Sequence, residues 1–316
     1  MHLNGQESTT RGFVVPIGGA ERKGRRRVVL ERFAALAGGA DAHIVVLPTA
    51  SEAEGAGERY RRIFKSLKVG QVSVMPITDR ATAMSNRCCD ALDDATAVFI
   101  TGGNQLRLAA MLGGTPVASK LRHRHAEGVH VGGTSAGAAI LAEHMIGGGM
   151  AGATPRGAGV VLAPGLGFTR QLVIDQHFRQ RDRLGRLLAA LSYNPQAVGV
   201  GIDEDTALFL GPEGAMEVVG SGAVTVVDPS HLSHSSMYSA EPGEPVSVVG
   251  VTLHVLTHGG RYDLERRAAT PPSLEDTKEA RAVRAVAGAA VAGQRRAGRA
   301  DARKSGTSPA KAAGAG

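Results

Sequence analysis

The sequence predicts an α/β chain built on a doubly wound, mostly parallel sheet flanked by helices, with further antiparallel strands toward the C-terminus. Three observations predict it. Apolar runs such as His43-Ile44-Val45-Val46-Leu47 are continuous rather than alternating, as expected of strands covered on both faces. Between residues 13 and 134 such runs alternate with stretches of helical periodicity. Several of the runs end in glycine, as at Gly18-Gly19 and Gly102-Gly103, where a strand must turn sharply into the next element.

Taken in order, residues 1–11 read as a loose polar arm. Strand 13–17 closes on Gly18-Gly19, and residues 25–36 have helical periodicity. Strand 43–49, helix 53–67, strand 72–77, helix 84–92 and strand 97–101 come next. Helices 105–112 and 117–126 lead to a strand from His130, which enters Gly132-Gly133-Thr134-Ser135-Ala136-Gly137. Residues 147–170, rich in Gly and Ala, read as a long loop. A short strand at 171–174 precedes Asp175-Gln176-His177-Phe178, and residues 198–208 read as strand, acidic turn, strand. The chain from there to Tyr262 alternates short β runs with Gly, Pro and Ser turns, which reads as antiparallel strands extending the sheet. One domain is therefore expected over 12–267. Residues 268–316 are Ala, Arg, Gly and Pro with almost no large apolar side chain, a composition that reads as a mostly disordered tail with a transient helix at 279–291.

Composition narrows the function classes. A chain of 316 residues with 43% hydrophobic content is ordinary for a globular protein, and 3% aromatic content makes its core aliphatic. Cys88 and Cys89 are adjacent and match neither a disulfide framework nor a zinc spacing, which suits a reducing cytoplasm. No cofactor or metal motif is visible. No apolar stretch is long enough for a signal peptide or a membrane span, so no membrane partner is expected. The net charge of +7 suggests nucleic acid until it is located. From Arg266 onward eleven Lys and Arg face four acids, so the tail carries the whole excess and residues 1–265 are formally neutral. A neutral body with a basic tail is not a nucleic-acid-binding fold.

The chemistry centres on Gly133-Thr134-Ser135-Ala136-Gly137, a G-x-S-x-G turn between strand and helix that exposes a serine hydroxyl at its tip. Such a serine needs a base, and the base needs an orienting acid. Among the histidines, His177 stands apart because it follows a strand end and sits among Asp175, Gln176, Arg181, Arg183 and Arg186. Asp203-Glu204-Asp205 lies at another strand end, and spacing does not choose among the three. Oxyanion donors are expected from the N–H of Ala136 and from Gly102-Gly103. The arginines after His177 suit a substrate bearing carboxylates.

Together, Thr101-Gly102-Gly103-Asn104-Gln105, Gly132 to Ala138, Asp175-Gln176-His177-Phe178 with its trailing arginines, and Gly201-Ile202-Asp203-Glu204-Asp205-Thr206-Ala207 resemble the cyanophycinases. These serine exopeptidases are related to aspartyl dipeptidases and, more distantly, to class I glutamine amidotransferases, whose flavodoxin-like sheet the resemblance implies here. The likeness covers about residues 10–260. It implies Ser135 as nucleophile, His177 as base and Glu204 as third member, with Gly103 and Ala136 as the oxyanion hole. It further implies a pocket of Asn104, Gln105, Asp175, Gln176, Arg181, Arg183 and Arg186, whose charges suit a substrate arginine met by Asp175 or by the neighbours of Glu204 and carboxylates met by the arginines. The implied substrate is cyanophycin, a polyaspartate with arginine on every β-carboxyl, released as β-Asp-Arg dipeptides; a homodimer is implied as well. The order Ser, His, Glu departs from the α/β-hydrolase order. The rival readings are an aspartyl dipeptidase on small Asp-X peptides, a non-catalytic binding protein on the same fold, and a nucleic-acid binder acting through the tail.

Overall fold

The computed structural model describes residues 11–24, 26–278 and 281. Its first half keeps the expected alternation: β1 (Val14–Ile17), α1 (Val28–Leu36), β2 (His43–Leu47), α2 (Ala56–Ser66), β3 (Gln71–Val74), α3 (Arg80–Ala83), α4 (Asn86–Asp90), β4 (Ala97–Ile100), α5 (Gln105–Leu112), α6 (Pro116–Ala126), β5 (His130–Thr134) and α7 (Ala136–Ala139). The second half is richer in strands: β6 (His144–Gly149), β7 (Val160–Pro164), β8 (Leu172–Gln176), α8 (Leu184–Tyr193), β9 (Val198–Ile202), β10 (Thr206–Leu210), β11 (Ala215–Gly220), β12 (Ala223–Asp228), β13 (His234–Ser235), β14 (Val248–Val249), β15 (Thr252–Thr257), β16 (Arg261–Asp263) and β17 (Ala268–Thr270).

A nine-stranded sheet runs in the order β17-β16-β11-β10-β1-β5-β4-β2-β3. From β1 to β3 its pairs are parallel, and from β1 to β17 they are antiparallel. The continuous apolar runs have the expected cause. In β2, Ile44 and Val46 pack with Phe33 of α1 and Phe64 of α2, whereas Val45 and Leu47 pack with Leu108 of α5 and Leu121 of α6. Alternate residues of a strand point to opposite faces, and here both faces are dry.

The structure corrects the sequence reading in four places. The late strands do not all extend one sheet: β10, β11, β16 and β17 do, but β8, β9, β12 and β15 form a second sheet in the order β15-β12-β9-β8. Glycines on β9 let other elements sit close upon it. A Cβ at Gly199 would lie 2.7 Å from Leu191, and one at Gly201 would lie 2.4 Å from the Phe178 ring, so α8 and Phe178 sit directly on that strand. The 147–170 segment is not a loop throughout, because β6 and β7 pair as a hairpin with one register shift. The 84–92 helix is shorter, α4 at 86–90, and a separate short helix, α3, precedes it, with Asp79 capping α3 through Thr82 N–H at 2.7 Å. The folded unit also passes residue 267: Arg261, Tyr262 and Asp263 pair with Thr270, Ala269 and Ala268, and a helical turn stands at 274–278. Residues 1–10 of the arm and nearly all of the 279–291 segment lie outside the described residues.

Candidate active site

Ser135 stands at the carboxyl end of β5, in the middle of the large sheet, with φ 53° and ψ −113°. That backbone is costly for a residue with a Cβ, and the surroundings hold it. Its N–H donates to Ile17 O at 3.0 Å, tying the turn to the end of β1. The flanking glycines are required by close approach: a Cβ on Gly133 would lie 2.0 Å from Gly137 O, and one on Gly137 would lie 2.2 Å from Ile100 O. Strand and helix cross here with no room for side chains.

The other two members arrive from the second sheet. His177 comes directly after β8 and Glu204 shortly after β9, strands that pair in parallel. Ser135 Oγ lies 2.9 Å from His177 Nε2, and His177 Nδ1 lies 2.7 Å from Glu204 Oε1. Since a carboxylate only accepts, Nδ1 carries the proton and Nε2 is free to take one from serine. The flanking acids are otherwise engaged. Asp203 accepts from the N–H groups of Arg179 and Ala223, while Asp205 takes the Arg22 N–H and guanidinium and the Ser221 hydroxyl. Of the three adjacent carboxylates, Glu204 is the one hydrogen-bonded to His177.

The first strand holds the histidine. Its N–H donates to Gly18 O at 2.8 Å, and the Asp205 N–H donates to Gly19 O at 2.9 Å. A Cβ on Gly19, whose φ is +96°, would lie 2.4 Å from the imidazole ring. His177 itself has φ 48°. Burial holds its imidazole below the ordinary histidine range; the Glu204 hydrogen bond opposes the shift, and the charges of Arg181 and Arg183 add to it. The imidazole is therefore neutral at neutral pH, as a general base must be.

The expected substrate pocket is only partly open. Asp175 is 1% exposed and meets Arg186 through both carboxylate oxygens, Oδ2 lying 2.6 Å from Nε. Arg183 reaches the same carboxylate at 3.3 Å and the Gln176 Oε1 at 2.7 Å. The expectation that Asp175 faces a substrate arginine while Arg183 and Arg186 face carboxylates is corrected to that extent, because these side chains satisfy one another beneath the histidine. Burial brings the Arg183 guanidinium down to about 10, with Asp175 opposing the shift, so it stays charged. Arg181 remains exposed beside His177. Asn104 caps α5 through Oδ1, which accepts from Leu106 and Arg107 N–H. Gln105 Nε2 donates to Gly147 O at 3.0 Å, joining α5 to β6.

One side of the site escaped the sequence reading. A cavity of about 270 Å³ opens beside Ser135 and His177, lined also by Glu21, Lys23, Arg59 and Tyr60. Glu21 is 2% exposed. Its carboxylate accepts from the Tyr60 hydroxyl and from Thr134 Oγ1, and pairs with Lys23 at 3.1 Å. Burial and that carboxylate push the Tyr60 hydroxyl far up, so it stays a donor. The available signal was position: Glu21 comes after the glycine turn that ends β1, neighbour of the serine strand. Among the described residues no group of three His, Cys, Asp or Glu is placed to hold a metal, and no helix is long and apolar enough to cross a membrane.

A doubly wound sheet presenting a serine, a neutral histidine and a carboxylate in hydrogen-bonded series is the architecture of a serine-type peptidase. A family model described as peptidase family S51 matches residues 14–218, and the chain belongs to that family. Curated relatives of the chain include cyanophycinases. The one from Synechococcus elongatus is 43% identical over 261 residues, covering 82% of this chain and 81% of the relative. The one from a Nostoc species is 40% identical over 264 residues, covering 83% and 89%. In fold alone, the chain is similar to a peptidase from an acI-B1 Actinobacterium, with TM-score 0.59 and 21% identity over 80% of this chain and 97% of that one.

Proposed function

We propose that this serine-type peptidase hydrolyses cyanophycin, the arginine-bearing polyaspartate, to β-Asp-Arg dipeptides. The observation that carries the reading is the Ser135–His177–Glu204 hydrogen-bond series in a chain 40–43% identical to cyanophycinases over most of its length.

In this reading Ser135 Oγ attacks a backbone carbonyl of the polymer as His177 Nε2 takes its proton. The N–H groups of Ala136 and Gly103 receive the oxyanion. Both donate to no protein acceptor among the described residues, and Gly102, which precedes the second, stands against Ser135, where a Cβ would lie 3.2 Å from its Cβ. His177 then returns the proton to the leaving amine, and the carbonyl–nitrogen bond breaks to leave an acyl-serine. A water molecule, deprotonated by the same nitrogen, attacks the ester, and Ser135 leaves as its hydroxyl. Glu204 holds the Nδ1 proton and stabilises the imidazolium between these steps. Arg181 is assigned to a substrate carboxylate, and Asn104 and Gln105 to the wall of the pocket, with Asp175, Gln176, Arg183 and Arg186 forming its charged floor. A cytoplasmic homodimer completes the reading.

The test is incubation of purified protein with insoluble cyanophycin, wild type beside Ser135→Ala, with β-Asp-Arg as the readout. Dipeptide release by the wild type alone is expected. Release by neither, with cleavage of small Asp-X peptides instead, transfers the chain to aspartyl dipeptidase chemistry.

A further inference from the structure

Leading away from Ser135 is a run of cations that the proposed reaction does not use. The cavity beside Ser135 shares Lys23 and Arg59 with a second hollow of about 250 Å³, which is lined by Arg27, Arg62, Ile63 and Ser66 as well. Arg59 and Arg62 stand three residues apart on α2, hence on one helix face. Nearby Glu58 is held by Arg61 through both oxygens at 2.7 Å and meets the Arg62 charge only through space. Arg27 is fixed at the far end by neutral oxygens, the Ser66 hydroxyl at 2.6 Å and the carbonyls of Gly24 and Ile63. Like charges at this spacing weaken a helix. Guanidiniums lining a hollow that continues from Ser135 are an arrangement for a chain that bears carboxylates.

We infer that Arg59, Arg62 and Arg27 form a track that binds the α-carboxylates of polymer repeats beyond the one being cleaved, with Lys23, paired to Glu21, at its inner end. The inference rests on the cyanophycin reading and adds an extended binding surface to it. Each repeat offers one carboxylate to the track and turns its guanidinium to water. Arg59, shared by both hollows, serves the cleaved unit and its neighbour; Arg62, in the outer hollow alone, serves only distant repeats. The arginines act as partners for carboxylates and take no part in bond breaking.

The experiment compares wild type, Arg59→Gln and Arg62→Glu on long-chain cyanophycin and on a two-repeat substrate, at low and high salt. Arg62→Glu is expected to lower kcat/KM on the long polymer about fivefold or more at low salt, through KM, and to flatten its salt dependence. On the two-repeat substrate it should change kcat/KM less than about twofold, and that retained turnover shows the variant is folded. Arg59→Gln should lower both. Equal loss on both substrates with Arg62→Glu, or loss on neither, overturns the track. So does a variant that loses affinity for double-stranded DNA while its polymer turnover is untouched, which assigns the face to nucleic acid. If wild-type protein cleaves no cyanophycin, the reading of the reaction fails instead. Cosedimentation of Ser135→Ala protein with insoluble polymer, with and without Arg62→Glu, then still reads the track separately.

Discussion

The two halves of the site are built by different means. Ser135 is positioned by its own neighbourhood: a strand, a strained residue, two glycines that let backbones touch, and a short helix, all within residues 130–139. His177 and Glu204 are positioned by distance relations, since they sit on a second sheet and reach the serine only because β1 clamps the histidine through Gly18 and Gly19. A locally encoded nucleophile can be recognised wherever it occurs. A base and acid brought in from another sheet depend on the assembled protein.

The comparison can be broken at either half. Ser135→Ala removes the nucleophile and leaves the elbow backbone; dipeptide release should fall by about 10⁴-fold or more with the melting temperature unchanged. Glu204→Gln leaves the imidazole without a charged orienting partner, and a loss of kcat of about 10³- to 10⁴-fold is expected. Asp175→Asn attacks the support beneath the histidine. It leaves Arg186, 6% exposed, without its counter-charge, and denaturant melts should show about 3–5 kcal/mol of lost stability. Gly19→Ala sharpens the distinction, because its Cβ would lie 2.4 Å from the imidazole. Turnover should drop about 100-fold by displacement of the ring, while an active-site serine label still reacts at a reduced rate, since the elbow is intact. The smallest effect is on pH. His177 must be neutral to act, so kcat/KM falls as pH drops through its depressed pKa, and the acid limb should lie below pH 6.5. Arg181 helps hold that pKa down, so Arg181→Gln should move the limb to higher pH, and a limb that does not move would separate Arg181 from the base.

Legibility in the sequence divides along the same line. The parallel strands could be read because burial on both faces writes an unbroken apolar run, as in His43 to Leu47. The serine turn could be read because its steric demands fall on adjacent residues. The second sheet was hidden because an apolar run does not say which strands it pairs with, and β8, β9, β12 and β15 pair apart from the large sheet. The Asp175–Arg186 pair was read as two ligands for substrate because charges eleven residues apart look free until the fold brings them together. Glu21 carried no signal beyond its place after the first glycine turn. A single carboxylate after a turn becomes a wall of the active site only through Thr134, Tyr60 and Lys23, of which the first two come from elsewhere in the chain.

The place of β1 has a consequence for how the enzyme comes to life. In the large sheet it lies between β5 and β10, with Val14 opposite Val131 on one side and Leu210 on the other. The turn after it grips residue 177 and the backbone beside Glu204. During synthesis the first strand therefore waits for partners made much later, and contacts so far apart along the chain form slowly. Ser135 and its elbow leave the ribosome well before residue 210 can dock. On the proposed roles, a nascent chain carries Ser135 before the residues that complete the hydrogen-bonded series around it.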